Sequence, residues 1–179
     1  KAREQMALES EEKLRPEQIG NIEVAVLSAG WGLVAEPSEK KYDPRSIVDA
    51  QFSMPFGAAV AAVRGAAGLD QFTLEQVMSP EVRAMMRKVT LVRDSRIDES
   101  YPREWPARVV IATSSGQRHE RFVRHPKGDP ENPLTWDEMA AKFHALAGAV
   151  MPRVRCDGII ARVSNLEDPA AVARLCASE

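Results

Sequence analysis

Apolar and polar positions alternate most clearly in two places. From Asn21 to Ser28, Ile22, Val24 and Val26 share one face of an extended chain, which predicts a half-buried strand. From Arg108 to Thr113 the run RVVIAT is rich in β-branched residues and predicts a second strand. Ser114–Ser115–Gly116 is turn chemistry, so Gln117 to Arg124 is expected to return as the partner of a hairpin. Val89 to Val92 predicts one further short strand. Elsewhere the period lengthens toward that of a helix. In WDEMAAKFHALAGAV, Met139, Phe143, Leu146 and Val150 fall on one stripe. Thr135 stands before it with Glu138 three residues on, the spacing of a capping box.

The stretch DAQFSMPFGAAVAAVRG, Asp49 to Gly65, is weakly charged and built of small residues. Ala58, Ala59, Ala61 and Ala62 lose little side-chain entropy in a helix. Pro55 is tolerated only in a first turn, and Ser53 precedes it as an N-cap, so a break at Phe52–Ser53 and a helix from about Met54 to Arg64 are expected. The start of such a helix presents backbone N–H groups that suit a carboxylate or phosphate, or else it is simply the kinked end of a core helix. Ser79–Pro80–Glu81 repeats the cap-and-proline pattern inside Leu74 to Val89 and divides two helices. Asp43–Pro44 reads as another such start. Gly30 to Lys41, Asp94 to Pro106 and His125 to Pro133 read as loops. A polar helical segment is expected from Arg3 to Leu14, one from Val154 to Ser164, and a last one from Pro169 to Cys176.

Helix, strand, helices, three strands and helices in that order predict an α+β fold: a two-layer sandwich with a mostly antiparallel sheet and helices packed on one face. Residues 1–15 read as the end of a preceding helical domain and 16–179 as a small α+β domain with C-terminal helices. The chain opens at Lys1 inside a helical pattern, which reads as a cut from something longer.

Composition narrows the partners. A net charge of −2 gives no reason to expect nucleic acid, and no apolar run reaches the length of a membrane span. Cys156 and Cys176 make no CxxC and no disulfide framework, which suits a reducing cytoplasm. His119 and His125 complete no metal site of known spacing, so no metal is expected. Arg118, Arg121, Arg124, His125 and Lys127 make a basic stretch that suits an edge strand charged against pairing, or else faces a polycarboxylate. Gly30–Trp31–Gly32 is too short for a phosphate loop, and His144, beside the apolar stripe, reads as structural. Nucleophilic catalysis finds no support, since Ser53 has no base near it in sequence, and no catalytic residue is assigned.

DAQFSMPFGAAVAAVRG, then FTLEQVMSPEVRAMMRKV, then HPKGDPENPLTWDEMAAKFHALA resemble the MmgE/PrpD family in order and separation. The resemblance runs from about Pro16 to Leu175 and is to the family's C-terminal small domain. That family includes 2-methylcitrate dehydratase, cis-aconitate decarboxylase and an iminodisuccinate epimerase. The resemblance implies a lyase on di- or tricarboxylic acids that needs no metal or other cofactor. It also implies a large helical domain, absent here, that bears the catalytic residues, and a homodimer. It further implies that Ser53, Met54 and Phe56 line the cleft between domains: Ser53 and early helix N–H groups hold a substrate carboxylate, and Phe56 supplies an apolar wall. On that reading the present chain alone is inactive. The alternatives are a free-standing ligand-binding or dimerisation module, or a family member that decarboxylates or epimerises.

Overall fold

The computed structural model describes residues 14–167, so the expected helices at Arg3–Leu14 and Pro169–Cys176, and Cys176 itself, lie largely or wholly outside the described residues. The described residues fall into two compact units that divide between Pro126 and Lys127.

The first unit is the sandwich. Strand β1 (Ile19–Ala25) pairs in parallel with β2 (Val89–Val92) and antiparallel with β3 (Ala107–Thr113), which carries β4 (Arg118–Val123) on its far side. The order is β2-β1-β3-β4. Six α-helices lie in sequence between β1 and β2: α1 (Ser28–Val34), α2 (Ser38–Lys41), α3 (Ile47–Gln51), α4 (Met54–Arg64), α5 (Leu74–Met78) and α6 (Pro80–Met86). Ile22 and Val24 of β1, Val89 of β2 and Ile111 of β3 share one buried cluster with Phe56, Val60 and Val63 of α4, Val77 of α5, and Val82 and Met86 of α6. This is the α+β architecture expected, with the added feature of one parallel pair.

A bulge makes the first strand fit. The register slips between Ile19 and Asn21, so Ile19 and Ile22, which would alternate faces in a regular strand, both enter the core. Gly20 sits at the slip. A Cβ there would lie 3.2 Å from the Ala112 carbonyl oxygen, a tight approach that would press the β3 backbone by a few tenths of an ångström.

The opposite face of the sheet sets a buried charged group beside the buried Val110 and Ala25. Arg108, 7% exposed, donates through Nε to Asp94 Oδ2 at 2.7 Å and through Nη2 to Glu23 Oε1 at 2.8 Å. Arg96 also holds Asp94, and these bonds together keep the Asp94 carboxyl well below the usual carboxylate range. Asp94 is the N-cap of a short helix, α7 (Ser95–Asp98), inside the stretch expected to be loop. β4 is an edge strand with alternating exposure, and Arg124 donates to Glu104 at 2.7 Å, in keeping with a charged edge.

The second unit holds α8 (Trp136–Ala147) and α9 (Arg153–Val163). The capping box is formed: Thr135 Oγ1 accepts from the Glu138 N–H at 3.2 Å, and Glu138 Oε2 accepts from the Thr135 N–H at 2.8 Å. That backbone donor and Lys127 Nζ, 2.9 Å from the same carboxylate, push the Glu138 pKa down to about 2. An unfolded glutamate titrates near 4.3, so this contribution to stability is complete above that pH and is lost as pH falls toward 2. A carboxyl NMR titration is expected to find Glu138 well below its unfolded value, and Lys127→Met should move it upward. A Glu138 pKa near 4.3 in the native chain would show that the box does not hold in solution. His144 Nε2 lies 3.0 Å from Asp157 Oδ1 and so ties α8 to α9.

Candidate functional site

The cap at Ser53 is where the sequence places it. Ser53 Oγ accepts from the Phe56 N–H at 3.1 Å, α4 starts at Met54, and Gly65 closes it in the left-handed conformation at φ 76°. What that cap leaves for a ligand is the decisive point. Pro55 has no N–H, Phe56 N–H is taken by Ser53 Oγ, and Gly57 N–H donates to the Ser53 carbonyl at 3.0 Å. The start of α4 is therefore closed except at Met54, and it is not an open cradle for an anion.

The side chains are placed accordingly. Ser53 is 3% exposed, and its hydroxyl donates to the Lys41 carbonyl at 2.5 Å while accepting from Phe56, so both of its roles are filled within the chain. Phe56 is fully buried and meets Phe72 edge to face with ring centres 5.4 Å apart. Within this unit Phe56 is core and Ser53 is a cap and clamp. Met54 is half-buried against the same core. The apolar wall and the carboxylate contact expected of Phe56 and Ser53 are not surfaces that this structure presents to solvent, because helix geometry turns them inward.

The accessible surface lies one step away. An open groove of about 330 Å³ is lined by Gly32, Leu33, Pro37, Lys40, Lys41, Val48, Asp49 and Phe52. Ser53 braces its floor by holding Lys41 and following Phe52. Three short helices shape it. α1 and α2 occupy Gly30–Lys41, the segment expected to be a loop, and Lys41 Nζ donates to the Leu33 carbonyl at 2.6 Å, capping the end of α1. The third, α3, is capped by Ser46, which accepts from the Asp49 N–H at 3.1 Å, and not by Asp43. Asp43 instead pairs with Arg45 and Arg83, joining two helical segments. Asp49 is held ionised by the Ser46 hydroxyl and the Arg45 N–H, so its pKa lies below the usual range. The groove is thus an apolar surface, with Leu33 and Val48 more than half exposed, bearing two lysines and one fixed carboxylate.

Sequence reading missed this surface because Gly30 and Gly32 masked a helix. The usable signals were Trp31 and Val34 at helical spacing and Pro37–Ser38–Glu39 as a second start. The α1 start is held from afar: Asp98 accepts from the Ser28 N–H at 2.8 Å and from its hydroxyl at 2.7 Å. Arg93 stacks 4.6 Å from the centre of the Trp31 ring.

Proton abstraction needs a base of raised affinity. Asp43, Asp49, Asp94, Asp98, Glu104 and Glu138 are all shifted the other way, each by arginine, lysine or hydroxyl and N–H donors. These carboxylates serve structure and charge balance. Among the described residues no helix is long and apolar enough to cross a membrane.

An α+β sandwich domain with an open groove is the class that the geometry defines. Comparison with known proteins gives the family: residues 5–168 match the model of the MmgE/PrpD C-terminal domain, and the chain belongs to the MmgE/PrpD family. It is 32% identical over 149 residues to the cis-aconitate decarboxylase-like protein oryM of Aspergillus oryzae, a match covering 83% of this chain. The chain spans only 29% of that relative's length.

Proposed function

We propose that this chain is the small, cleft-closing part of an MmgE/PrpD-type lyase acting on di- or tricarboxylic acids. The observation that carries the proposal is the family match over 5–168, beside which Asp43, Asp49, Asp94, Asp98, Glu104 and Glu138 are held below the usual carboxylate range. The proton-moving groups then reside on a helical domain outside this chain. The reaction begins with removal of a proton, or of CO₂, next to a carboxylate, and no metal or other cofactor is required in this reading. The chain's own contribution is to shape one wall: the exposed apolar surface of Leu33, Ile47, Val48 and Phe52 meets the helical domain, and Lys40 and Lys41 set a positive field beside it. Ser53, Met54 and Phe56 act from behind that wall by fixing its backbone. The working protein is a cytoplasmic homodimer.

Two substrates follow from the family. Dehydration of 2-methylcitrate is one; decarboxylation of cis-aconitate is favoured by the name of the Aspergillus relative. Incubation of the 179-residue chain with each acid, followed by NMR, is expected to show no turnover. The longer polypeptide should convert one of them. Turnover by the short chain would place the acid–base groups here and sink the proposal. A reading frame confined to this chain would favour a free-standing binding or dimerisation module.

A further inference from the structure

The groove of α1–α3 carries one charge that the chain does not use. Its charged lining is Lys40, Lys41 and Asp49. Lys41 Nζ donates to the Leu33 carbonyl at 2.6 Å, and Asp49 accepts from the Arg45 N–H at 3.1 Å. Lys40 differs from both. Its backbone is held: its N–H donates to the Pro37 carbonyl at 3.2 Å, and the next carbonyl, that of Lys41, accepts from Ser53 at 2.5 Å. Its ammonium makes no hydrogen bond or ion pair among the described residues. Leu33, Val48 and Phe52 leave apolar surface open beside it. Gly32 keeps the groove clear. It stands inside α1, where alanine is the better helix former, yet a Cβ built on it meets nothing within 4 Å. Packing within the chain therefore does not call for glycine at this place, and a larger side chain there would occupy the groove.

We infer that the groove is a subsite for a single carboxylate arm of an organic acid, with the Lys40 ammonium as counter-ion and Leu33, Val48 and Phe52 against the acid's carbon skeleton. The class of acid rests on the lyase reading above. The limit to one arm follows from charge. Two ammonium groups and one carboxylate leave the lining one positive charge in excess, which one arm neutralises. A second arm in the groove would meet Asp49, kept ionised by the Ser46 hydroxyl and the Arg45 N–H. Asp49 thereby sets a direction: one arm enters at Lys40, and the other carboxylates of the same acid point out of the groove. The contact comes from α2 and not from the closed start of α4.

An amide-resolved NMR titration of the 179-residue chain tests this, with butyrate, succinate and propane-1,2,3-tricarboxylate as probes at constant ionic strength and butyramide as the neutral control. The three acids are expected to shift the Leu33, Lys40, Val48 and Phe52 amides saturably, and butyramide is not. Lys40→Gln should weaken each acid at least about fivefold, and Lys40→Arg should keep most of the affinity. Asp49→Asn should tighten the tricarboxylate at least about threefold and leave butyrate within about twofold. Gly32→Leu should block all three acids by filling the groove, while β1 and β3 amides stay in place. Equal affinity of Lys40→Gln and the parent would overturn the inference. So would shifts that butyramide or sodium chloride reproduces, or a tricarboxylate affinity that Asp49→Asn does not change. Turnover by the longer polypeptide is followed with the same variants. Turnover whose KM is untouched by Lys40→Gln removes the subsite and leaves the lyase reading, whereas saturable binding beside a longer protein that converts no such acid does the reverse.

Discussion

Phe56→Ala is expected to cost about 3–5 kcal/mol of stability, the range for removing a buried aromatic side chain. Phe56 is fully buried at the first turn of α4, in one cluster with β1, β2, β3, α5 and α6, and its ring meets Phe72. Truncation removes apolar area from the centre of the sandwich and leaves a cavity between layers that the sheet register cannot close. Denaturant unfolding by circular dichroism measures the loss, and a Phe56→Leu variant that keeps most of the volume should lose less. A wall residue of an open cleft behaves differently: its truncation alters substrate affinity and spares stability. A loss under about 1 kcal/mol would therefore mean that Phe56 is not packed as described.

Ser53→Ala is expected to cost about 2–4 kcal/mol, from two separate sources. Removal of an N-cap acceptor costs about 1 kcal/mol, and an unpaired, partly buried carbonyl at Lys41 adds about 1–3 kcal/mol. Ser53→Thr keeps both bonds and should retain most of the stability. The second bond matters for the groove as well, since it fixes the backbone of Lys41, whose ammonium caps α1. Faster amide exchange in α1 and α2 of Ser53→Ala would follow. If the alanine variant unfolds at the parent's denaturant midpoint, the hydroxyl is not bonded in this way.

These two residues also show where sequence reasoning holds and where it stops. Ser53 as a cap, Pro55 in the first turn and Gly65 at the end were legible, because caps and prolines act through the backbone within a few residues. For the same reason Ser79–Pro80 and Thr135–Glu138 were legible. The inward turn of Phe56 was not, since which side of α4 is covered depends on β1 and β2, some 30 residues away on either side. Asp43 misled the reading: Asp–Pro looks like a cap, yet Arg83, 40 residues on, takes the carboxylate at 2.7 Å and leaves Ser46 to cap α3. The Met139–Phe143–Leu146 stripe was correctly read as a helix face, while a periodic pattern says only that a face wants cover, not what covers it. Val150 lies past the end of that helix and is 87% exposed.

By itself the sequence determined the strands, the helices that open on a serine or threonine cap at Ser53, Ser79 and Thr135, the α+β class and the family, because strand alternation, capping residues and motif spacing are properties of neighbouring positions. Only the tertiary structure decided the parallel β1–β2 pair, the burial of Arg108 with Asp94 and Glu23, the closure of the α4 start, and the groove of α1–α3. Each of those depends on groups far apart in the chain competing for the same hydrogen bonds and the same buried space, and that competition is settled when the layers pack.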